Sequence, residues 1–363
     1  MKFSNFLFPT SPSPAHDFDV IQDALQEAEL SDALGFDTIW LAEHHFDGGC
    51  AYVDPMTFAT AIVARTQRIR VGFAVAQMAL YHPIRLAEQI AVIDNVSQGR
   101  VTVGLGRGTA YNFYEYRGFG IDPAEAHERL IEADDILSKV WTAQDYRHDG
   151  KYWQIELPEL RPQVYQQPHP PVIRACSGLE STLEMAREGR PFLMNVQSNE
   201  VTQQRLEAYR QAMSEAGYDD DAIADAVQEC WAWRNVFVAE TDGEAADIGI
   251  PAFQNMRKHL GDARQRLNRP SELAAQAAVK PGNAMNAVDT GLVYGSPATV
   301  RDKLAPVYES GVGGLILHFR LGSLPWEATA RSLQLFAEQV APAFAADDTS
   351  TSNKSPSSTM GPL

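Results

Sequence analysis

The sequence predicts an α/β protein built as a (β/α)8 TIM-like barrel with insertions. Short runs rich in β-branched and aromatic residues alternate with longer amphipathic segments along the chain. The second, third and fourth runs are roughly 32 residues apart, which is the size of one βα unit. The length of 363 residues also suits a single barrel. A doubly wound open sheet is the alternative fold.

Eight segments have the composition of buried strands. Their β-branched and aromatic residues favour extended structure. In chain order they are Lys2–Phe8, Thr38–Ala42, Arg70–Ala76, Val101–Gly106, Val172–Ala175, Phe192–Asn195, Ala232–Val238 and Gly314–Phe319. Eight strands with intervening helices are the number that closes such a barrel.

The segments between the first strands have helical patterns. Residues 17–35, DFDVIQDALQEAELSDALG, place apolar side chains at helical spacing and stop at Gly35. Residues 83–99 begin at Pro83 and end at Gly99, two residue types that typically start and stop a helix. Residues 123–141 follow the same pattern, so helices alternate with the predicted strands.

Two segments depart from this alternation. Asp145–Pro171 is rich in aromatic residues and proline and predicts a short hairpin beside the barrel. Gly261–Leu292 is longer than an ordinary connection and has no strand character, which favours a mobile lid. The low-complexity C-terminal end predicts disorder. We therefore expect one barrel domain over residues 1–344, with both segments as insertions, and a disordered tail over 345–363.

Composition narrows the range of functions. The net charge of -17 disfavours nucleic acid and anionic membranes as partners. Three cysteines, at positions 50, 176 and 230, fit neither a disulfide framework nor a zinc motif, so we expect a reducing compartment and no metal site. The N-terminus has no signal-peptide pattern, and no apolar run reaches about 18 residues. Together these features predict a cytoplasmic protein.

The second predicted strand runs into the titratable residues of AEHHF. In a barrel of this kind the functional side chains lie at the C-terminal ends of strands. Alternation along the strand directs Glu43 and His44 to opposite sides, and His44 shares its side with Trp40. His44 is therefore the candidate for the barrel mouth. A hydrogen-bonded structural histidine is the alternative role.

The fourth predicted strand ends in GLGRG. These glycines are not a dinucleotide-binding fingerprint, because no helix opens directly after them. Small residues allow a flat ligand to approach the backbone closely. Arg107 can then bind phosphate oxygens through two hydrogen bonds. A salt bridge between Arg107 and a barrel carboxylate is the alternative.

The fifth predicted strand leads into a hydroxyl-rich helix start that contains Ser177, Gly178 and Ser181. Free backbone N–H groups and hydroxyls at such a position can bind an anion, although helix capping alone explains them equally well. The third strand adds the small residue Ala74, on which a ring could lie. A phosphate site, an apolar floor and a titratable histidine together favour flavin mononucleotide (FMN) over a sugar phosphate.

Three stretches, in chain order, resemble the bacterial luciferase-like family of flavin-dependent monooxygenases. They are GFDTIWLAEHHF, RIRVGFAVAQMALYHPIRLAEQIAVIDNVSQGRVTVGLGRG and YGSPATVRDKL. The similarity extends over most of residues 1–343. It implies a TIM-like barrel with insertions, usually dimeric, that uses reduced flavin and oxygen.

The resemblance also implies roles for single residues. His44 corresponds to the family's active-site histidine, with Glu43 beside it. Arg107 corresponds to the phosphate-binding arginine, and Ala74 to the residue whose backbone supports the flavin ring. Four further residues match positions on the cofactor side of the family's site: Tyr111, Ser177, Gly178 and Ser181.

Two positions differ from the light-emitting members of the family. Gly106 stands where they carry a reactive cysteine, and Ser177 stands where they have an acidic residue. We therefore expect flavin binding without light emission, and we expect Gly106 to leave room for a bulkier substrate.

The function implied by the resemblance is that of a two-component monooxygenase. A separate NAD(P)H:flavin reductase would supply reduced FMN (FMNH2), and O2 would form a flavin C4a-(hydro)peroxide that oxidises a small hydrophobic organic substrate. His44 would hold or move the proton of this species near neutral pH. The predicted lid would exclude water. A homodimer or a related heterodimer is expected.

Two other functions are compatible with the same resemblance. A deazaflavin-dependent oxidoreductase would transfer hydride, but its acidic coenzyme tail calls for more basic residues than Arg107 has near it. A flavin-binding protein without turnover is the third hypothesis. The intact His44 and the long predicted lid argue against it.

Overall fold

A closed parallel barrel forms the centre of the molecule. The computed structural model describes residues 1–278 and 287–345. The strands in these ranges are β1 (Lys2–Leu7), β2 (Thr38–Leu41), β3 (Arg70–Phe73), β4 (Ala76–Gln77), β5 (Val101–Gly106), β6 (Tyr146–Asp149), β7 (Gln154–Leu157), β8 (Val172–Cys176), β9 (Phe192–Met194), β10 (Trp231–Val238), β11 (Leu292–Gly295) and β12 (Gly314–His318).

Eight of these strands make the barrel, in the order β1, β2, β3, β5, β8, β9, β10 and β12. All neighbouring pairs are parallel, and β12 pairs with β1 to close the sheet. The closure excludes the open doubly wound sheet and confirms the predicted (β/α)8 barrel. The register places Leu105 of β5 opposite Arg174 of β8, so the ends of these two strands are neighbours.

Helices surround the barrel. Within the described ranges they are α1 (Asp17–Leu34), α2 (Pro55–Arg65), α3 (Pro83–Ser97), α4 (Phe113–Gly118), α5 (Ala126–Val140), α6 (Leu179–Arg187), α7 (Asn199–Glu215), α8 (Asp220–Gln228), α9 (Asp242–Leu267), α10 (Pro270–Ala278), α11 (Val288–Gly291), α12 (Pro297–Glu309) and α13 (Trp326–Leu335). Gly35 follows α1 in the left-handed conformation at φ 82°, where glycine carries no steric penalty. Pro83 opens α3, as its fixed φ favours.

Close packing of the strands depends on two glycines. A Cβ atom on Gly72 would lie 2.5 Å from the ring of Trp40, which is fully buried between β2 and β3. A Cβ atom on Gly104 would lie 1.7 Å from the carbonyl oxygen of Phe73. The second contact is with backbone, so no side-chain movement can relieve it.

Replacing Gly104 by Ala is expected to destabilise the fold by about 3 kcal/mol or more, because the new methyl group would force β3 and β5 apart. Gly261→Ala is the matched control. Gly261 is exposed inside α9, its Cβ position has open space, and the substitution is expected to stabilise the protein by about 0.5–1 kcal/mol. Urea unfolding measures both changes, and a Gly104→Ala protein as stable as the wild type would contradict this account.

The segment between β5 and β8 contains an antiparallel hairpin, made by β6 and β7 with Tyr146 opposite Leu157. It packs beside α5, where the Glu132 carboxylate accepts hydrogen bonds from the backbone N–H groups of Tyr152 and Trp153, each at 3.0 Å. The hairpin therefore belongs to the outer layer and does not interrupt the barrel.

The described part of Gly261–Leu292, the predicted lid, is largely helical. Helix α9 continues to Leu267, and α10 follows directly. Buried side chains on α9, at Phe253, Met256 and Ala263, explain the helix, because packing outweighs the low helix propensity of Pro251 within it. Residues 279–286 of the predicted lid and 346–363 of the predicted tail lie outside the described residues.

The third predicted strand is also interrupted. Strand β3 ends at Phe73, the peptide bond between Ala74 and Val75 is cis, and β4 resumes at Ala76 to pair with β5. Ala74 and Val75 therefore leave the sheet at its C-terminal edge.

Candidate active site

The predicted site residues follow the C-terminal ends of four adjacent barrel strands. His44 follows β2, Ala74 follows β3, Arg107 follows β5 and Ser177 follows β8. Since these strands are consecutive neighbours in the sheet, the four residues lie along one side of the barrel mouth. This arrangement is the one that the strand-end rule predicts.

His44 has a carboxylate partner that its own strand does not supply. Its Nδ1 atom lies 2.9 Å from Oε1 of Glu115 in α4, and its side chain is 22% exposed. The Asn112 amide lies 3.3 Å from the same Nδ1 atom. Because Glu115 is an acceptor, Nδ1 donates to it, and Nε2 is left as the nitrogen that can exchange a proton with a ligand.

The His44–Glu115 pair favours its charged form. Burial disfavours the imidazolium, but the Glu115 carboxylate outweighs burial, and the pKa of His44 is raised above its ordinary value. Burial likewise opposes the charge of Glu115. His44, the His45 N–H group and Asn112 outweigh it and hold the pKa of Glu115 below its ordinary value. At weakly acidic pH the site therefore holds an imidazolium beside a carboxylate.

Replacing Glu115 by Gln is expected to lower the pKa of His44, because the charge that raises it is removed. A raised histidine pKa contributes stability below about pH 6.5 that is lost as the pH rises through the folded-state pKa. The depressed carboxylate pKa contributes stability that is lost as the pH falls below about 4.3. The stability difference between wild type and Glu115→Gln should thus be largest between about pH 4.3 and 6.5.

NMR titration of the histidine rings and urea unfolding at several pH values measure both effects. Glu27→Gln is the control, since Glu27 is a buried carboxylate that contacts Asn5 instead of His44. An unchanged His44 titration in Glu115→Gln, or an equal shift in the control, would contradict the assignment.

Glu43 occupies a different environment from His44. It is buried, its Oε2 atom accepts a hydrogen bond from the Gln77 N–H group at 2.7 Å, and its Oε1 atom lies 3.2 Å from His45. Burial raises the pKa of Glu43. These contacts tie the end of β2 to β4, and a catalytic role for Glu43 stays a prediction.

The expectation that Gly106 opens room for a substrate is not supported by the packing. A Cβ atom on Gly106 would lie 2.5 Å from Cγ2 of Val75. The space beside Gly106 is therefore filled by the side chain that follows Ala74. Glycine at position 106 is explained by this contact between two strand ends.

Arg107 is exposed and lines a cavity of about 440 Å³. The cavity is bounded by Arg107, Ala110, Phe113, Tyr116, Asp122, Pro123, Ala124 and Glu272. The Tyr116 hydroxyl donates to the Arg107 carbonyl at 3.1 Å and so fixes its backbone. His44 and Ser177 do not line this cavity. Of the four strand-end residues, Arg107 alone is among its lining residues.

The start of α6 has unused hydrogen-bond donors. Gly178 is its N-cap residue and offers no side chain, and the first backbone N–H groups of a helix have no partner within it. The Ser181 hydroxyl donates to the Gly178 carbonyl at 3.0 Å. It therefore does not cap the first N–H groups of the helix. A Cβ atom on Gly178 would meet no atom within 4 Å. An anion therefore has both space and donors here.

Tyr111 is half-buried in the loop that follows Arg107. Its carbonyl accepts a hydrogen bond from the Asn268 amide at 2.7 Å, and Arg264 of α9 donates to the Asn112 side chain at 2.9 Å. The same helix reaches the loop after β2, where His259 lies 3.2 Å from the Asp47 carbonyl. One helix thus holds both loops that flank His44.

Aromatic side chains line the inner wall near His44. The Phe8 ring is 5.3 Å from the His44 ring, and 6.0 Å from the buried His318 ring. Phe6 packs at 4.4 Å from Trp233. Burial lowers the pKa of His318 to about 4, so this second histidine is neutral at pH 7. These rings form an apolar, aromatic cluster beside His44.

Sequence reasoning missed Glu115, Asn112, Arg264 and His318. The first two follow the GRG motif closely, in GTAYNFYEY, and this proximity was the one available signal for them. Over residues 1–278 and 287–345 no group of three or more metal-ligating side chains is found. No helix in the same ranges is long and apolar enough to cross a membrane.

Comparison with known proteins supplies the context for this geometry. The model of one family, described as luciferase-like monooxygenase, matches residues 1–314. The protein y4wF of Sinorhizobium fredii is 31% identical over 86% of this chain and 89% of its own length. The limonene 1,2-monooxygenase of Rhodococcus erythropolis is 26% identical over 95% of this chain and 87% of its own length. The oxygenase component of the flavin-dependent trigonelline monooxygenase of Acinetobacter baylyi is 32% identical, over 47% of this chain and 48% of its own.

Solved structures share the whole architecture. The monooxygenase RslO1 of Streptomyces bottropensis aligns with a TM-score of 0.80 and 29% identity, over 95% of this chain and 100% of that one. The oxygenating constituent of 3,6-diketocamphane monooxygenase from Pseudomonas putida, in complex with FMN, aligns at 0.77 and 21% identity, over 94% and 98%. An F420-dependent secondary alcohol dehydrogenase aligns at 0.71 and 16%, over 95% and 99%. The last two likenesses concern the fold alone.

Proposed function

Because this chain belongs to the luciferase-like monooxygenase family, we propose that it is the oxygenase component of a two-component flavin-dependent monooxygenase. A separate NAD(P)H:flavin reductase would supply reduced FMN, and the substrate would be a small hydrophobic organic molecule. The overall reaction is substrate + O2 + FMNH2 → oxygenated substrate + FMN + H2O. One oxygen atom enters the substrate and the other leaves as water.

The observation that carries this proposal is the pairing of two features at one barrel mouth. A histidine with a carboxylate partner follows β2, and an arginine with a donor-rich helix start follows β5 and β8. The first can exchange protons and the second can hold a phosphate. Ala74, which follows β3, lies between these two features in the strand order. A flat ring bound there would bridge them.

The residues present fit FMN. The open space at Gly178 and the unpartnered N–H groups of α6 suit its phosphate, with Arg107 on the adjacent strand end. The small side chain of Ala74 at the edge of the sheet suits its ring. When bound, reduced FMN would supply the electrons that activate O2.

The protein's own contribution is proton control and exclusion of water. His44 would hold a proton at Nε2, and its partner Glu115 fixes the ring orientation and favours the protonated form. Helices α9 and α10 would shield this proton from bulk water, since Arg264 and Asn268 bind the loop beside His44. The described part of the predicted lid is therefore proposed as a helical cover.

The substrate class follows from the wall of the site. The rings of Phe6, Phe8 and Trp233 form one aromatic cluster, in which Phe8 contacts His44. An apolar or aromatic substrate gains most from such a wall. Both hydroxylation and insertion of oxygen beside a ketone remain compatible with these residues.

Assembly and location are proposed on separate grounds. Val92 and Val96 lie exposed on one face of α3, which supports a homodimer or related heterodimer formed through this helix. All three cysteines are free thiols, and this supports a cytoplasmic location, where thiols stay reduced.

The function is tested with isotopically labelled oxygen. The purified chain, a flavin reductase, NADH, FMN and 18O2 are incubated with panels of terpenes, cyclic ketones and aromatic heterocycles, and products are analysed by mass spectrometry. We expect one 18O atom in the product of at least one panel. Hydrogen peroxide with no labelled product from any panel would count against the proposal.

A deazaflavin-dependent oxidoreductase is the second candidate, and the fold shared with the F420-dependent dehydrogenase favours it. The cavity beside Arg107 is also lined by Asp122 and Glu272. Glu272 is paired with Arg117 at 2.6 Å, and Asp122 adds a negative charge that opposes the acidic tail of such a coenzyme. Tight binding of F420, with hydride transfer to a ketone and no use of O2, would establish this alternative. The third hypothesis, a flavin-binding protein without turnover, would be established if the purified chain retained flavin and converted no substrate.

A further inference from the structure

Arg205 lies behind the helix start that the proposed function assigns to the phosphate. It belongs to α7, and only 5% of the residue is exposed. Its Nη2 atom donates to the carbonyl oxygens of Cys176 at 3.1 Å and Gly178 at 3.0 Å. Its Nε atom donates to the Thr182 hydroxyl at 3.1 Å. The guanidinium therefore joins α7 to both ends of the loop between β8 and α6.

These contacts orient the backbone of the loop. In a trans peptide unit the C=O and N–H groups point in opposite directions. Because the Cys176 and Gly178 carbonyls point at Arg205, the N–H groups of Ser177 and Leu179 point away from it. Leu179 is the first residue of α6, so its N–H group has no acceptor within the helix. Arg205 thus fixes the direction of donors that would face an anion.

The guanidinium of Arg205 lies 5.7 Å from the Phe192 ring and has no counter-ion in the described part of the chain. Among the residues of the described ranges, no carboxylate forms an ion pair with it, and its other polar contact is Oε1 of Gln197 at 3.4 Å. Burial lowers the pKa of Arg205, yet a guanidinium stays protonated at neutral pH. A buried charge without a counter-ion costs several kcal/mol. An anion bound at the loop would offset that cost.

A second polar group beside Arg205 also lacks a partner. Gln197 is 9% exposed, and its Oε1 atom accepts a hydrogen bond from Arg205. Its Nε2 atom has no hydrogen-bond partner among residues 1–278 and 287–345. Buried amide donors are nearly always satisfied in folded proteins. The group is thus a further donor in a region that already has an excess of donors and positive charge.

We propose that Arg205 is a positioning residue for the phosphate of the cofactor, which it serves by orienting the 176–178 loop and by supplying a second positive charge behind it. This inference rests on the proposed function. Arg107 is exposed and approaches the phosphate from the solvent side, whereas Arg205 acts from inside and makes no direct contact.

Arg234 offers a matched control. It is also buried, at 3% exposure, and donates to the Asn199 and Thr202 side chains, both on α7, at 2.9 Å each. No ion pair to Arg234 is found in the described part of the chain. Its hydrogen bonds go to Trp233, Asn199 and Thr202, and none of these residues belongs to the 176–178 loop. Arg234→Met therefore removes an equally buried guanidinium from the same region without touching the phosphate loop.

The test compares FMN with riboflavin, which has the same ring and no phosphate. Dissociation constants of both are measured by flavin fluorescence for the wild type, Arg205→Met, Arg205→Lys and Arg234→Met. We expect Arg205→Met to weaken FMN binding by about tenfold or more and riboflavin binding by less than about threefold. Arg205→Lys keeps the charge and should recover part of the loss. Arg234→Met should change both affinities by the same factor.

Equal losses of FMN and riboflavin affinity in Arg205→Met, or no loss of either, would overturn the inference and leave the proposed function standing. A wild-type chain that binds neither flavin would overturn both. If Arg205→Met does not fold, NMR of the wild-type protein tests the inference instead. The 15N signal of the Arg205 side chain should shift on addition of inorganic phosphate and not on addition of chloride at equal ionic strength, and the absence of this shift would overturn the inference.

Discussion

Replacing His44 by Ala is expected to reduce turnover by about 10²- to 10⁴-fold, the usual contribution of a positioned acid–base group. Flavin affinity should be nearly unchanged, because His44 contacts Glu115 and Phe8 and lies two strands away from the arginine that is assigned to the phosphate. Electrons from NADH should then appear as hydrogen peroxide instead of product. Turnover and hydrogen peroxide release are measured together with the FMN dissociation constant.

His148→Ala is the control for this experiment. His148 forms a similar pair with a carboxylate, with Nε2 at 3.1 Å from Glu132, but it lies on the outer hairpin. It should leave turnover unchanged. Wild-type turnover in His44→Ala, or a loss of turnover matched by an equal loss of FMN affinity, would remove His44 from the chemistry.

Replacing Arg107 by Ala is expected to weaken FMN binding by about 1.5–3 kcal/mol, the range for a hydrogen bond to a charged group. This corresponds to roughly a 10- to 150-fold increase in the dissociation constant. Riboflavin affinity should change little, because riboflavin has no phosphate for the guanidinium to bind. Titration with both flavins by fluorescence or calorimetry measures the difference.

Arg147→Ala is the corresponding control, since Arg147 is an arginine on the surface of the hairpin whose side chain is 75% exposed and paired with Glu156. It removes one positive charge from the molecule far from the barrel mouth. If it weakens FMN binding as much as Arg107→Ala does, the effect is one of net charge alone. If Arg107→Ala keeps full FMN affinity, the phosphate role is lost.

Much of the barrel could be predicted because its strands are buried on both sides. Such strands are nearly continuous apolar runs, and their repeat distance is visible without any knowledge of packing. Val101–Gly106 was predicted to the residue, and the other barrel strands end within one or two residues of their predicted bounds, apart from the third. The third strand ends at Phe73 and not at Ala76. Residues 71–76 are apolar or glycine throughout, so nothing in their composition marks the break after Phe73.

Helix α9 was not predicted because its local signals point the other way. Gly249, Pro251 and Gly261 lie within it and lower its helix propensity. Its buried side chains pack on elements that are distant in sequence, including Leu321 and Leu324. The pattern along the chain does not show those partners, so the sequence alone does not predict this helix.

Candidate site residues divide in the same way. His44 and Arg107 could be found because each follows a strand, and strand ends meet at one edge of a barrel. Glu115 could not be assigned to His44, because the two residues are 71 positions apart and Glu115 lies in a short helix. The role of Arg205 could not be predicted either, because it donates to backbone carbonyls, and every residue has one.

The hold of α9 on the loops beside His44 has a consequence for protein engineering. Arg264 and Asn268 hold the loop that follows Arg107, and His259 holds the loop that follows His44. The proposed phosphate-binding residues of α6 and α7 lie outside these contacts. Randomised libraries could therefore be confined to the positions of α9 other than His259 and Arg264 to alter substrate preference. Variants selected from such libraries would keep the residues that are proposed to bind FMN. New activities could therefore be screened without re-optimising the supply of flavin.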